Sequence, residues 1–392
     1  MRSLKSISVI AAGAVFAAGT VLIAGPAIAD PVNSHLKKVT PQYYDVVGVG
    51  SDTDDTLFDQ LAFDYNSAHK VHNKTHPYIY SFDAVPPNNP LNATSVIKPK
   101  AGCSAKTPRP DGSGAGITQF ELPAKTRGHH CIDFARSASY RPSTDPDNFG
   151  TDLYVALAED AETYAVTAGG NAPTNLTLAD LQGIYNCTFT NWDQVGGKDA
   201  PIEALIPPST TGVGKFWLTA LGLKSAAACV NENDSVTVQQ NQGIDTSLFG
   251  TRSNPNPNVI VPYSIGKYIA QRFHSPKPGK KPTKSQNKFG TDEHGSLVLG
   301  AVGGISPTVG SGAGTKINLK LRNAGNLTRP IYDVVWYAAK TTDHDFIPNY
   351  LEPFFAAAKG VKVKGWFCSN KEAKQAIANY GFLTTPECGF GS

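Results

Sequence analysis

The chain has 392 residues, 40% of them hydrophobic, and a formal net charge of +3. Its first 29 residues carry Arg2 and Lys5 and no acidic residue, so removing them lowers the formal charge to +1. A balance so close to neutral argues against nucleic acid or polyanionic surfaces as main partners. The roughly 360 residues that remain exceed what one hydrophobic core usually serves, so we expect two domains.

The N-terminus, residues 1–29, has the pattern of a secretory signal peptide. Arg2 and Lys5 precede an apolar run at 7–24, and Ala27-Ile28-Ala29 is the small-residue pattern of a cleavage site. The run is rich in Gly and Ala, which suits processing better than membrane spanning. No cysteine lies near the cleavage point to accept a lipid. We therefore expect a secreted, extracellular, unlipidated product that begins at Asp30.

All six cysteines follow this leader, and none of them forms a Cys-x-x-Cys pair. An even number of cysteines in an exported chain indicates disulfides. Zinc is the competing use, but it needs closely spaced Cys and His residues, so we expect neither a metal nor a cofactor. Six cysteines allow about fifteen pairing schemes. The spacing favours sequential pairs: Cys103–Cys131, Cys187–Cys229 and Cys368–Cys388.

A strand, a turn and a helix are predicted near the start of the mature chain. The β-branched run at 45–49 indicates the strand, and the apolar residues within 57–65 form one face of the helix. The turn between them contains Ser51, Asp52 and Thr53. Each of the three suits a helix N-cap. They are also candidate ligand contacts, because open α/β sheets bind ligands at the carboxyl ends of their strands.

The segment 112–116, Gly-Ser-Gly-Ala-Gly, is a second candidate turn. Glycine tolerates the positive φ angles that let successive amides point to one side, and Ser113 adds a hydroxyl donor. If a helix begins near Ala115, its unpaired amides and the positive end of its dipole face the same point. Ser113 and Gly114 are therefore candidate anion contacts. The alternative interpretation is a flexible surface turn.

A helix capped by Thr177 is predicted next, with Leu178, Leu181 and Ile184 on one face. Its Leu-x-x-Ile-Tyr order, followed by Asn-Trp, resembles the phosphate-specific branch of the bacterial periplasmic binding proteins. Further segments are similar to parts of that family in the same order, and the resemblance covers most of the mature chain. They are two Gly-rich turns at 48–51 and 112–116, a strand at 133–137, an anion-binding turn at 209–216, and later strands at 261–265 and 329–335.

The resemblance implies an α/β, two-domain type II periplasmic-binding-protein fold with a central ligand cleft and a two-strand hinge. It implies a first domain at 41–158 plus 326–392 and a second domain at 159–325. The expected ligand contacts come from both domains. They are Ser51, Asp52, Thr53, Ser113, Gly114, Arg136 and Ser137 on one wall and Thr210, Thr211 and Gly212 on the other.

The sequence departs from the family at the charged ligand contacts. The family's aspartate after the 133–137 strand aligns with Ala138, and its second-domain arginine aligns with Pro207. Arg136 and Asp52 are candidates to replace these charges. The alternative is that Arg136 packs on the surface and Asp52 caps its helix. An ionised Asp52 would oppose a dianion, so the site is expected to favour protonated oxyanions.

The resemblance implies a secreted solute-binding protein, not an enzyme, that binds a small oxyanion such as phosphate. It also implies an ABC permease as partner, no nucleic acid and a monomeric state. One alternative is a binding-protein fold that has lost its small ligand and contacts a macromolecule. A secreted hydrolase is another, but the sequence contains no Gly-x-Ser-x-Gly elbow, His-Glu-x-x-His motif or P-loop.

A Lys/Pro-rich loop at 275–287 lies within the expected second domain. It contains lysines at 277, 280, 281 and 284 and prolines at 276, 278 and 282. Such a composition is typical of a solvated insertion. Contact with acidic cell-wall polymers is the alternative interpretation.

Overall fold

The computed structural model describes residues 30–87, 89–92, 94–122, 130–139, 152–232, 238–336, 350–355 and 365–391. The predicted leader at 1–29 lies outside them. The strands of the described chain are β1 (Val46–Gly50), β2 (Ile79–Ser81), β3 (Val96–Ile97), β4 (Thr107–Pro108), β5 (Phe134–Ser137), β6 (Asp152–Thr167), β7 (Asn175–Leu176), β8 (Glu203–Ala204), β9 (Gly250–Thr251), β10 (Asn254–Pro255), β11 (Val259–Ser264), β12 (Leu297–Leu299), β13 (Ala301–Val302), β14 (Thr308–Val309), β15 (Lys316–Ile317) and β16 (Thr328–Trp336).

The α-helices are α1 (Asp55–Ala68), α2 (Ser113–Glu121), α3 (Leu178–Tyr185), α4 (Gly212–Ala220), α5 (Thr246–Phe249), α6 (Ile265–Ile269), α7 (Trp366–Ser369) and α8 (Lys371–Asn379). One π-helical turn, Ala270–His274, continues α6. The 3-10 turns are Trp192–Val195, Gly312–Gly314 and Leu319–Asn323.

One large mixed sheet runs through the molecule in the order β2-β1-β5-β16-β6-β11-β8, and β12 also pairs with β6. Strands β2, β1 and β5 are parallel to one another, whereas β16 runs antiparallel to both β5 and β6. Helices α1 and α2 follow β1 and β4 and pack on this end of the sheet. The predicted α/β class and type II architecture are confirmed.

Strand β6 changes its neighbours partway along its 16 residues. Its first part, 152–161, pairs with β16, and its last part pairs with β11 and β12. One group of buried apolar residues, including Phe58, Phe134 and Val155, packs around the first part. A second group, including Trp192, Trp217 and Ile260, packs around the last part. Strands β6 and β16 thus connect two packed regions.

The three disulfides are the sequential pairs expected from the spacing: Cys103–Cys131, Cys187–Cys229 and Cys368–Cys388. Such bonds persist in oxidising compartments outside the cytosol. No helix in the described part of the chain has the length and apolar character needed to cross a membrane.

The predicted N-cap residue is correct for α3 but not for α1. Thr177 caps α3 in a capping box with Asp180, as predicted. The expectation that Ser51, Asp52 or Thr53 caps α1 was wrong, because α1 begins at Asp55 with Asp54 at the N-cap position. The three residues instead form the connection between β1 and α1.

Gly48 in β1 packs closely against the ring of Phe134, and this contact gives a stability prediction. A Cβ atom at this position would lie 2.0 Å from the buried Phe134 ring, so Gly48→Ala overpacks the core. We expect a loss of about 1–3 kcal/mol in the free energy of unfolding, measured in urea. Gly314→Ala is the control, because nothing lies within 4 Å of its added Cβ. Equal stability of the two variants would contradict this packing.

Candidate functional site

Three helices begin close together at the boundary between the two packed regions. Helix α1 follows β1 after a turn at 51–54, and α2 packs on the end of β1, where a Cβ on Gly116 would lie 2.5 Å from Gly50 Cα. Helix α4 begins opposite α2, with Gly212 against Ser113. The first amides of each helix lack intrahelical partners, and each helix dipole is positive at this end. The region therefore has the backbone geometry of an anion site.

The segments 112–114 and 210–212 contact each other directly across this boundary. Gly114 N–H donates a hydrogen bond to Thr210 O over 3.1 Å. A Cβ on Gly114 would lie 2.7 Å from the same oxygen, and a Cβ on Gly212 would lie 2.5 Å from Ser113 Oγ. Glycine is therefore required on both sides for this approach. Of the expected contacts, Ser113 and Gly114 of one wall therefore touch Thr210 and Gly212 of the other.

The hydroxyl groups of the two walls are buried at this contact. Ser113 Oγ accepts a hydrogen bond from Ala138 N–H over 3.0 Å. Thr211 caps α4 by accepting from Gly214 N–H at 3.1 Å and donates to Pro208 O at 2.6 Å. Ser137, also fully buried, accepts at Oγ from Ser139 N–H. These hydroxyls are held in place by backbone groups.

The turn between β1 and α1, residues 51–53, contributes one carboxylate and two hydroxyl groups to this region. Ser51 Oγ accepts from Thr53 N–H at 3.1 Å, and Ser51 N–H donates to Arg136 O. The buried Thr53 Oγ1 has no hydrogen-bond partner among the described residues. Asp52 points towards the second region, where its Oδ2 accepts from Asn241 Nδ2 at 2.9 Å.

Lys267 on α6 reaches from the second region to the start of α1. Its ammonium group donates to Asp52 O at 2.8 Å and to Asp55 Oδ1 at 2.5 Å. Burial lowers the pKa of Lys267, but the Asp52 and Asp55 charges outweigh burial and raise it above its ordinary value. Lys267 is thus a buried cation that bridges the two regions. The sequence reading did not select it, or Asn241, as a site residue.

Several carboxylates surround the helix starts with raised pKa values. Burial raises the pKa of Asp52 to about 6, although the Lys267 charge opposes the shift. It also raises the pKa of Asp54 to about 6 against the charge of Arg136. Burial and the neighbouring Asp52 raise the pKa of Asp111 to about 7. Near neutral pH, part of the negative charge in this region is therefore removed by protonation.

Arg136 is fully buried and donates to acceptors on its own wall. Its Nε donates to Ser51 O at 3.2 Å, one terminal nitrogen donates to Ser81 Oγ, and the other donates to Phe82 O at 2.9 Å. The alternative that it packs on the surface was therefore wrong. These bonds fix the first turn against β2. Direct contact of Arg136 with a ligand stays a prediction, and it would require an exchange of these partners.

A second buried arginine, Arg329 on β16, lies next to the opposite wall. Its guanidinium donates to Gly212 O at 3.0 Å and pairs with Asp160 at 3.1 Å and Glu162 at 2.8 Å on β6. Asp160 Oδ1 also accepts from Gly266 N–H at the start of α6. The group therefore ties both connecting strands to the helices of the second wall. Its sequence signal is charged residues within otherwise apolar strands.

Within the described residues, no group of three or more His, Cys, Asp or Glu side chains is arranged to hold a metal ion. The site is built from backbone amides, hydroxyls, paired cations and protonatable carboxyl groups. Such groups can bind a polar or charged ligand through hydrogen bonds and charge.

No protein-family model matches the sequence, and no curated protein matches it. Among solved structures, the fold is that of the substrate-binding receptors of ABC-type phosphate transport. The phosphate transport receptor of Vibrio cholerae is 19% identical, with a TM-score of 0.51, over 87% of this chain and 100% of its own. A protein of Clostridium perfringens, named as a phosphate ABC transporter substrate-binding protein and solved with phosphate, is 16% identical, with a TM-score of 0.53, over 87% and 99%.

Two arginines that pair with carboxylates of β6, one buried and one exposed, give a stability prediction. Arg329→Met leaves Asp160 and Glu162 buried without their cation, so we expect a loss of about 3–5 kcal/mol in the free energy of unfolding. Arg322→Met is the matched control, because Arg322 pairs with Glu159 and its side chain is 47% exposed. Such an exposed pair contributes about 1 kcal/mol or less. Urea denaturation that gives similar losses for both variants would contradict the assigned role of Arg329.

Proposed function

We propose that this protein is a secreted solute-binding protein that binds a small oxyanion, such as phosphate, between two lobes. The first lobe comprises 41–158 plus 326–392, and the second comprises 159–325. One observation carries the proposal: the starts of α2 and α4, with Ser113 and Thr211, face each other across the boundary. An ABC permease is the partner that we propose for delivery of the ligand.

Uncharged hydrogen-bond donors are enough to bind such a ligand with micromolar affinity. Each hydrogen bond to a charged group contributes about 1.5–3 kcal/mol, and micromolar affinity needs about 8 kcal/mol. The amide of Gly114, the hydroxyl of Ser113 and the first amides of α4 therefore provide enough donors without an arginine, and the hydroxyl of Thr211 adds one if it exchanges its bond to Pro208 O. Entry of the ligand replaces the direct Gly114–Thr210 hydrogen bond with bonds from each wall to the anion.

Opening of the lobes about β6 and β16 would admit the ligand. Opening must separate Lys267 from Asp55 and Asn241 from Asp52, because these pairs cross the boundary. Closure is a hinge motion, and the ligand stabilises the closed state only by its additional contacts there. The paired carboxylates and Lys267 would favour closure even before the ligand adds its contacts.

A second function has a specific observation in its favour. Gly212 packs so closely on Ser113 that this arrangement leaves no room for an oxyanion between them. A fold that has lost its small ligand and contacts a macromolecule would keep such a closed boundary. Calorimetry separates the two functions, because the absence of heat with phosphate, arsenate and sulfate would favour the second.

Removal of the Ser113 hydroxyl tests the oxyanion site. We expect Ser113→Ala to weaken phosphate binding by about tenfold or more, the effect of one hydrogen bond to a charged ligand. Ser311→Ala is the matched control, because Ser311 stands in the second Gly-Ser-Gly-Ala-Gly segment and is exposed. Titration calorimetry should give the parental affinity for this control. A parental affinity in the Ser113 variant would exclude this site.

The carboxyl group of Asp52 predicts a pH dependence. Its pKa of about 6 means that it gains negative charge as the pH rises above 6 and then repels an anion. We expect Asp52→Asn to bind phosphate at least about tenfold more tightly than the parent at pH 8, with the ratio approaching one near pH 4.5. A ratio that does not change with pH would contradict the role of Asp52.

A further inference from the structure

We infer that the Lys/Pro-rich loop at 275–287 is a binding surface for a linear polymer of phosphate groups. The choice of phosphate rests on the proposed function, whereas the charge and shape of the loop do not depend on it. The loop leaves the π-helical turn at His274 and returns at the buried Phe289. All of its residues belong to the described part of the chain.

The loop carries a local excess of positive charge, although the net charge of the whole chain is small. No acidic residue occurs between positions 273 and 291, whereas this stretch contains five lysines. Lys277 pairs with Asp292 at the base of the loop. Lys280, Lys281 and Lys284 are exposed, and no described carboxylate lies within ion-pair distance of them. Three uncompensated ammonium groups therefore stand within five residues.

Turns and cross-links hold the loop in one shape. Lys280 N–H donates to Lys277 O at 2.9 Å across a turn in which Gly279 has a φ of +81°. Gln286 N–H donates to Thr283 O, and its side chain donates to Ser275 O. Together with three prolines, these bonds reduce the conformational entropy that a partner would have to remove on binding.

The end of the loop is also fixed to the first lobe. Phe289 is fully buried and packs with Phe63 of α1, and Asn287 Nδ2 donates to Asn379 O at the end of α8. The loop thus belongs to the second lobe in sequence but is anchored on the first. Its lysines are presented from a rigid support.

The base of the loop adjoins the candidate site. Ser275, at the start of the loop, and Gly290, three residues after its end, line a cavity of about 40 Å³ together with Asp52 and Lys267. The base of the loop therefore lies next to the boundary at which a single oxyanion is proposed to bind.

The spacing of the lysines favours a polymer over a single ion. From 280 to 284 the backbone spans at most about 14 Å, so successive phosphates of one chain can contact all three ammonium groups. Each contact raises the effective concentration for the next. The segment 275–287 contains no aromatic or large aliphatic residue. It therefore lacks groups that stack on bases or insert into a membrane.

Binding of long-chain inorganic polyphosphate to the full mature chain tests the proposal. The variant is K280S/K281S/K284S, and the matched control is K224S/K320S/K371S, which removes the same charge from exposed positions on other elements. At 50 mM salt we expect the loop variant to lose about tenfold or more in affinity and the control less than about threefold. The slope of log K against log salt should fall by about 2 in the loop variant.

Similar losses in both triple variants would overturn the proposal, because the binding would then follow net charge alone. Tighter binding of polyaspartate, single-stranded DNA or anionic phospholipid vesicles than of polyphosphate would overturn the choice of polymer. Orthophosphate calorimetry on the loop variant separates this proposal from the oxyanion site. Loss of polyphosphate binding with parental orthophosphate affinity supports the loop surface. If the parent shows no orthophosphate heat but loop-dependent polyphosphate binding, only the cleft proposal fails.

Discussion

The second wall is held to the two connecting strands by one buried guanidinium, that of Arg329. Arg329 joins β16 to the two carboxylates of β6 and to the first carbonyl of α4. Through Asp160 the same group reaches the start of α6, which carries Lys267. Because a buried charge without its partner costs several kcal/mol, any movement of one of these elements must carry the others with it. The second wall therefore behaves as one unit.

Two glycine residues allow the second wall to pack against the first. Gly114 and Gly212 allow the backbone of one wall to approach the hydroxyl and carbonyl groups of the other, and a single methyl group at either position would prevent it. The resulting contact is made by amide, carbonyl and hydroxyl groups. Charge enters through Asp52 and Lys267, which link the walls beside the contact.

Charge is distributed unevenly over the molecule although the chain is nearly neutral. Carboxylates such as Asp52, Asp54 and Asp111 are concentrated at the helix starts, where burial raises their pKa values. The uncompensated lysines stand on the exposed loop at 275–287. The small net charge of the chain therefore combines an acidic boundary between the walls with a basic loop at 275–287. In the proposed functions, the first selects protonated anions and the second attracts polyanions.

The sequence by itself determined the features that depend on neighbours along the chain. The β1–turn–α1 order, the Thr177 cap and the sequential disulfides follow from local periodicity, side-chain capping and short spacing. The order of weak motifs was enough for the type II fold. Tertiary structure decided the partners of the charged groups. Lys267 binds Asp52 across 215 positions, and Arg329 reaches Gly212 across 117. Such contacts depend on how the sheet places distant side chains, which local patterns do not encode.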